Sequence, residues 1–384
     1  MIKVGITGQR GFIGTHLFNT LGLYNDKYDR IPFEDGYFKD EDKLRNFVSS
    51  CDAIVHLAAM NRHNDPEVIY NTNIGLVKQL ISACEATKST PHILFSSSTQ
   101  EERDNLYGKS KKEGRLLFEQ WALKNNACFT GLIIPNVFGP FGHPYYNSVV
   151  ATFCHQLTHN ETPKIEVDGE LKLIYVGDLV KEIISDIQLH SVAQNQPQIN
   201  TVKHCETKQI PHSSTIKVSD LLSKLTQYRN DYFEKGEIPN LNTPFDRNLW
   251  NTFLCYIDHE SFFPYLLKLK TDYRGSFVET IKLNSGGQIS FSTTMCGVTR
   301  GNHFHTRKAE RFAVIKGKAR IQLRRIGTNK IMNFDLDGSQ PAFVDMPIWH
   351  THNITNVGEE ELYTIFWINE HYNPEDADTF FEKV

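Results

Sequence analysis

Ile2-Lys-Val-Gly-Ile-Thr-Gly-Gln-Arg-Gly-Phe-Ile-Gly14 is the stretch that decides how most of this 384-residue chain folds. A short apolar run closes on three glycines spaced three apart, and the sequence then opens into Thr-His-Leu-Phe, which reads as a helix. Strand, glycine turn and helix N-terminus together cradle a pyrophosphate, because the free N–H groups of the first helical turn point at it. Gly8 permits the tight turn, Gly11 keeps a Cβ away from the phosphates, and Gly14 lets the helix pack closely.

Working outward, short apolar runs alternate with longer amphipathic ones. Residues 53–57, 92–96 and 128–134 read as buried strands, and residues 66–86 and 109–124 as helices. This alternation predicts an α/β fold with a Rossmann-like, doubly wound parallel sheet. Ligands of such sheets sit at the strands' carboxyl ends, and the unusual residues gather there: the glycine turn, His56 to Asn61, Ser96 to Ser98, and Pro135-Asn-Val-Phe-Gly-Pro140.

Tyr107-Gly-Lys-Ser-Lys111 opens a helix and sets a phenol and an ammonium one turn apart on one face. The positive charge is expected to lower the phenol's pKa, so that Tyr107 passes a proton to a substrate oxygen near neutral pH, with Ser98 donating to the same oxygen. Glu34 and Asp35 could accept bonds from a ribose diol, whereas Arg10 and Arg30 could meet a ribose 2′-phosphate.

Composition narrows the partners. Forty-one Lys and Arg against 45 Asp and Glu leave a formal charge of −4 with no long basic run, which argues against nucleic acid and membrane surfaces. Seven scattered cysteines without a C-x-x-C pair fit a reducing cytoplasm. With no signal-peptide pattern and no apolar stretch of the ~18 residues that a membrane helix needs, the chain is expected to be soluble and cytoplasmic.

The chain turns polar over residues 192–211, where residues 194–198 read as a loop, and residues 216–227 read as a helix. Near residue 255 the period changes to two, so the chain divides on this reading into 1–255 and 256–384. Residues 277–283, 319–326 and 362–368 alternate as antiparallel strands of a sandwich or barrel. Alternation aims His303 and His305 inward together, and Glu310 reaches the same point from the next strand. The stretch Pro347-Ile-Trp-His-Thr-His352 offers a fourth ligand. Imidazoles with one carboxylate suit Zn, Fe, Mn or Ni.

Taken in order, Thr7-Gly-x-x-Gly-x-x-Gly14, Val55-His-Leu-Ala-Ala59, Asn73, Phe95-Ser-Ser-Ser98, Tyr107-x-x-x-Lys111, Pro135-Asn-Val-Phe-Gly-Pro140 and Tyr175-Val-Gly-Asp178 resemble the extended short-chain dehydrogenase/reductases over about residues 1–250. Ile133 stands where many relatives carry arginine. The resemblance implies a hydride-transfer site of Ser98, Tyr107 and Lys111. It implies a nicotinamide dinucleotide against Gly8, Arg10, Gly11, Phe12, Ile13, Gly14, Arg30, Leu57, Ala58, Ala59, Asn73, Ser96, Tyr107, Lys111 and Pro135. A sugar nucleotide would lie against Asn61, Ser98, Asn136, Asn147 and the segment following Gly142.

The last third resembles the cupins, with Trp349 where glycine is usual. That likeness implies a metal on His303, His305, Glu310 and His352, with His350 as a surface or pocket residue. Both halves together, with Tyr146 to His155, Phe245 to Trp250, Asp272 to Glu279 and His352 to Asn356, resemble the bifunctional capsule-assembly enzymes that make UDP-N-acetyl-L-fucosamine precursors. This likeness implies C3 epimerisation of a UDP-4-keto-6-deoxy-N-acetylhexosamine by the cupin half. Reduction of C4 by NADPH in the first half would follow, with zinc as the expected cation and a homodimer as the expected assembly. The alternative is a reductase or epimerase alone, with a structural, dimerising cupin.

Overall fold

The computed structural model describes residues 1–195 and 205–384. It divides into two compact units. The first comprises Met1–Phe138, Gly142–Ser148 and Glu170–Ile216; the second comprises Gly139–Phe141, Val149–Gly169 and Lys217–Val384.

The first unit is built on β1 (Ile2–Thr7), β2 (Tyr28–Ile31), β3 (Ala53–His56), β4 (His92–Ser98), β5 (Phe129–Ile134), β6 (Asn136–Phe138), β7 (Glu170–Tyr175), β8 (Cys205–Gln209) and β9 (Ser214–Lys217). Six of these form one sheet in the order β2-β1-β3-β4-β5-β8, and every pairing in it is parallel. The doubly wound expectation is met. The chain leaves β1 for β2 on one side and returns to β3 on the other, so the crevice opens where β1 and β3 end. Its central strands β1, β3, β4 and β5 are buried on both faces, which is why they read as apolar runs rather than alternating ones.

One face is covered by α2 (Glu41–Ser49), α3 (Pro66–Thr87) and α4 (Leu106–Asn125), whose Phe47, Leu80, Phe118 and Trp121 pack on Ile54, Ile93 and Phe95. The other is covered by α1 (Phe12–Leu21) and α6 (Val176–Asn195), whose Leu17, Leu21, Leu179 and Ile183 pack on Val4, Val55 and Leu94. Each such side chain taken from water contributes about 1.5–3 kcal/mol. The starts of α3 and α4 are fixed locally: Asp65 accepts from Glu67 N ahead of Pro66, and Asn105 accepts from Gly108 N at 2.7 Å. Gln194 and Asn195 are the last turn of α6 rather than a loop, and the rest of that expected loop lies outside the described residues.

In the second unit, α5 (Val149–Thr158) packs on α7 (Val218–Arg229) and α8 (Pro244–Leu254). The strands that follow are β10 (Glu237–Ile238), β11 (Tyr265–Leu266), β12 (Lys270–Asp272), β13 (Gly275–Phe277), β14 (Lys282–Leu283), β15 (Gln288–Thr294), β16 (Thr299–Phe304), β17 (Glu310–Lys316), β18 (Lys318–Arg325), β19 (Ile331–Asp337), β20 (Ala342–Met346), β21 (His350–Asn356), β22 (Leu362–Ile368) and β23 (Phe380–Phe381). Ten of them make two five-stranded antiparallel sheets, β11-β20-β17-β22-β15 and β19-β18-β21-β16-β23, and the other four form the pairs β10-β14 and β12-β13.

Residues 277–283 are not one strand as the alternation suggested. Phe277 pairs back across a hairpin with Lys270, whereas Leu283 pairs with Ile238, so two partners divide the run. Fully buried Arg311 ties β17 to β20 through a bidentate pair with Asp345 at 2.8 and 3.0 Å, and Tyr232 donates to the same carboxylate at 2.6 Å. Among the described residues no helix is long and apolar enough to cross a membrane.

Candidate active site and metal centre

The ends of β1, β3, β4 and β5 open into a cavity of about 1260 Å³ in the first unit. That exceeds the ~300–1,000 Å³ of usual small-molecule sites and leaves room for two ligands side by side. Gly8 has φ of +71°, as the tight turn requires, and α1 starts at once from Gly11. A Cβ on Gly14 would overlap the Gly8 carbonyl oxygen and sit 2.9 Å from Gln9 Cα. The third glycine is therefore demanded by the turn itself.

Of the residues named from sequence, Gly8, Gly11, Phe12, Ile13, Gly14, Leu57, Ala58, Ala59, Asn61, Ser96, Ser98, Tyr107, Lys111, Pro135, Asn136 and Asn147 line the cavity. Arg10, Arg30 and Asn73 do not. Arg30 turns onto α1, where its guanidinium donates to the Phe18 carbonyl at 3.1 Å and lies over the Phe18 ring. Asn73 is buried and braces the site from behind, exchanging bonds with the Met60 main chain at 2.7 and 3.1 Å and donating to Ser110 Oγ at 3.0 Å.

Sequence reasoning missed Phe38, Lys39 and Arg62, which also line the cavity, as do Asp35 and, in the expected segment following Gly142, His143 and Tyr146. Arg62 donates to the Tyr145 carbonyl and Asn61 N lies 3.4 Å from the Tyr146 hydroxyl, so two loops close one wall. Only the position of Lys39 soon after β2 could have marked it beforehand.

Lys111 is 4 % exposed, and its ammonium donates to the Ser96 carbonyl at 2.9 Å while lying 5.8 Å from the Tyr107 ring centre. Burial dominates the electrostatics here. It pushes the Tyr107 phenol up to about 12, with the Tyr146 phenol adding to the rise, and it draws Lys111 down to about 8. The expected lowering of Tyr107 by Lys111 is thus not what this structure shows: desolvation outweighs the ammonium. Tyr107 accordingly holds its proton across the neutral range, the state that a proton donor needs.

In the second unit, His303 and His305 on and just after β16, Glu310 at the head of β17 and His352 on β21 bring one ligand atom each within 4.8 Å of one another. The Gly301 bulge, with φ of +98°, re-aims the strand ahead of His303. His352 Nε2 lies 3.0 Å and His305 Nε2 3.3 Å from Glu310 Oε2. All three atoms are buried, and none makes a well-directed hydrogen bond. Buried polar atoms that converge without pairing fit a shared cation of the borderline class. Burial and the facing imidazoles hold His303 down at about 4, keeping it a neutral donor.

His350 is fully enclosed rather than on the surface. Its Nδ1 donates to the Ile348 carbonyl at 3.0 Å, and burial lowers it to about 3. Trp349 occupies the left-handed region at φ of +59°, which explains why glycine suits that position.

A second cluster, His92, Asp186 and His190 in the first unit, is differently built. The Lys208 ammonium bonds Asp186 Oδ1, and His190 Nδ1 donates to the Asp186 main-chain carbonyl at 3.0 Å, so a cation already neutralises this carboxylate and one imidazole nitrogen is taken by its proton.

Residues 4–200 match the model of the NAD dependent epimerase/dehydratase family. The chain belongs to that family. Its residues 270–380 match the Polysaccharide biosynthesis C-terminal domain. The UDP-2-acetamido-2,6-beta-L-arabino-hexul-4-ose reductase of Pseudomonas aeruginosa is 32 % identical over 99 % of this chain and 98 % of its own. The crystal structure of the capsular polysaccharide assembling protein CapF from Staphylococcus aureus is 31 % identical, with full coverage of both chains and a TM-score of 0.61. A structure of CapF with the inhibitor 3-isopropenyl-tropolone is 28 % identical with a TM-score of 0.58, again with both chains covered in full.

Proposed function

We propose that this chain reduces the C4 ketone of a UDP-4-keto-6-deoxy-N-acetylhexosamine at the cavity of the first unit. The observation that carries this reading is the meeting of Tyr107 and Lys111 in one cavity with the Gly8 to Gly14 turn. NADPH, when bound along that turn, supplies the hydride. Addition of hydride to the ketone breaks the C=O π bond and leaves charge on the oxygen. Tyr107, protonated across the neutral range, delivers the proton there, Ser98 orients the oxygen, and Lys111 stabilises the developing negative charge. The printed name of the P. aeruginosa relative, which describes a hexul-4-ose reductase, supports the same substrate class.

Lys39 takes the part that the sequence suggested for Arg10 and Arg30. It lines the cavity on the connection after β2, as does Asp35; an ammonium there would meet a ribose 2′-phosphate and supports NADPH, whereas the Asp35 carboxylate would accept from a ribose diol.

We infer further that the second unit inverts C3 of the same sugar before reduction. A C3 proton is acidic only while C4 is a ketone, so epimerisation must come first, and the product is then a UDP-2-acetamido-2,6-dideoxy-L-talose. His303, His305, Glu310 and His352 would hold zinc or a similar divalent cation, which supplies Lewis-acid polarisation of a keto-sugar oxygen. Edge strand β15, with Ile289 and Phe291 exposed, supports a homodimer through that edge. Incubating the UDP-4-keto sugar in D₂O with and without NADPH, followed by NMR, tests both steps. Deuterium at C3 without NADPH and a C4 alcohol with it are expected; a C4 alcohol with no C3 exchange would leave the chain a reductase alone.

A further inference from the structure

The proposal below rests on the reading of His303, His305, Glu310 and His352 as metal ligands. Residues 376–384 run back across β16, which carries His303 and leads directly into His305. Strand β23 pairs with β16, setting Phe381 opposite His303 and Phe380 opposite Phe304. Arg307 holds Asp376 at 2.8 Å, the buried Lys308 ammonium donates to the Ala377 carbonyl at 2.8 Å, and Arg324 holds Glu382 at 2.7 Å. This segment is a strap fastened along its length.

Its centre is Asp378, which is 6 % exposed and sits in the left-handed region at φ of +43°. The carboxylate collects the main-chain N–H groups of Thr306, Arg307 and Lys308 at 3.0–3.2 Å and the Thr306 hydroxyl at 2.6 Å. Those residues immediately follow His305. The Asp378 carbonyl oxygen lies 2.5 Å from His305 Nδ1. A carbonyl can only accept, so Nδ1 carries a proton, and in the neutral imidazole that a metal ligand requires Nε2 keeps its lone pair, aimed at the Glu310 cluster 3.3 Å away. Main chain and side chain of one residue therefore act on one imidazole: the carbonyl sets the tautomer, and the carboxylate anchors an otherwise unfavourable backbone conformation that keeps the carbonyl in place.

We propose that Asp378 is a positioning residue of the metal centre, fixing His305 in the tautomer that presents Nε2 to the cation. No sequence motif marks it, since it lies more than 70 residues from the ligand it orients. Asp378→Ala removes the anchor, and Asp378→Asn keeps one accepting oxygen. The test uses the full chain stripped with EDTA, titrated with zinc against a chromophoric chelator and then with cobalt(II), whose visible spectrum reports coordination geometry. Long-range ¹H–¹⁵N spectra of the metal-free, ¹⁵N-histidine-labelled protein at alkaline pH read the tautomer of His305 directly.

Zinc affinity is expected to fall by about tenfold or more in Asp378→Ala and less in Asp378→Asn. The cobalt spectrum should change, and the His305 tautomers should become mixed. Where the alanine variant does not fold, the asparagine variant carries the same readouts. Equal zinc affinity together with an unchanged His305 tautomer in the folded variants would overturn the positioning role. A parent chain that takes up no zinc, compared with a His303→Ala control, would instead overturn the metal reading on which the proposal stands.

Discussion

Lys111 and Tyr107 stand one turn apart on α4, yet the ammonium is bonded to the Ser96 carbonyl at 2.9 Å rather than to the phenol. Both side chains are enclosed enough for desolvation to dominate, with Lys111 drawn down to about 8 and Tyr107 pushed up to about 12. Two consequences follow for pH. Reduction that needs the Lys111 cation is expected to decline as pH rises through about 8 while Tyr107 is still protonated. A pH profile of kcat, taken with saturating NADPH and keto-sugar, should show that limb; a flat profile to pH 10 would contradict it.

The same shift bears on stability. The folded-state pKa of Lys111 lies below that of an exposed lysine, so between the two values the unfolded chain binds more protons, and the lysine's contribution to stability rises with pH from about 8 toward ~10.4. Below that window a buried charge is being tolerated. Lys111→Met is therefore expected to abolish reduction while leaving stability at pH 7 unchanged or up to about 2 kcal/mol higher, the loss of the bond to Ser96 offsetting part of the gain. Urea unfolding read beside turnover checks this. A variant destabilised by several kcal/mol would show that the ammonium's bonding outweighs its burial.

Gly14→Ala should remove dinucleotide binding. The added methyl meets main-chain atoms of Gly8 and Gln9, which cannot rotate away as a side chain would. A loss of at least about tenfold in NADPH affinity is expected by fluorescence titration, with the second unit's zinc uptake unaltered.

Lys39→Ala tests the coenzyme assignment. Loss of an ammonium beside a phosphate is expected to weaken NADPH by about 1–2 kcal/mol and to leave NADH nearly unaffected, so the ratio of kcat/KM for the two coenzymes should move by roughly tenfold. An unchanged ratio would place the 2′-phosphate elsewhere.

Most of the parallel sheet was legible because its strands are short apolar runs between amphipathic helices, and because Gly8, Gly11 and Gly14 act locally, within one turn. The cluster of His303, His305 and Glu310 was legible for a similar reason: strand alternation and a short connection bring them together. What could not be read depends on distant packing. Arg30 looked free to meet a phosphate, but α1 places the Phe18 carbonyl and ring beside it. Tyr107 looked acidified by its neighbour, but the extent of its burial is a property of the folded cavity. Lys39 and Arg62 sit on connections whose paths no periodicity describes. Residues 277–283 alternate well enough for a strand, yet their pairing partners, Lys270 and Ile238, lie in different elements.

The most direct test of the account follows transfer of deuteride from C4-deuterated NADPH to the UDP-4-keto sugar, comparing the parent chain with Tyr107→Phe. The parent should place deuterium on C4 of the sugar as NADPH is oxidised. The variant, lacking only the phenolic hydroxyl, should bind NADPH normally and turn over about 10²–10⁴ times more slowly. A Tyr107→Phe chain that oxidises NADPH as fast as the parent would contradict the central claim.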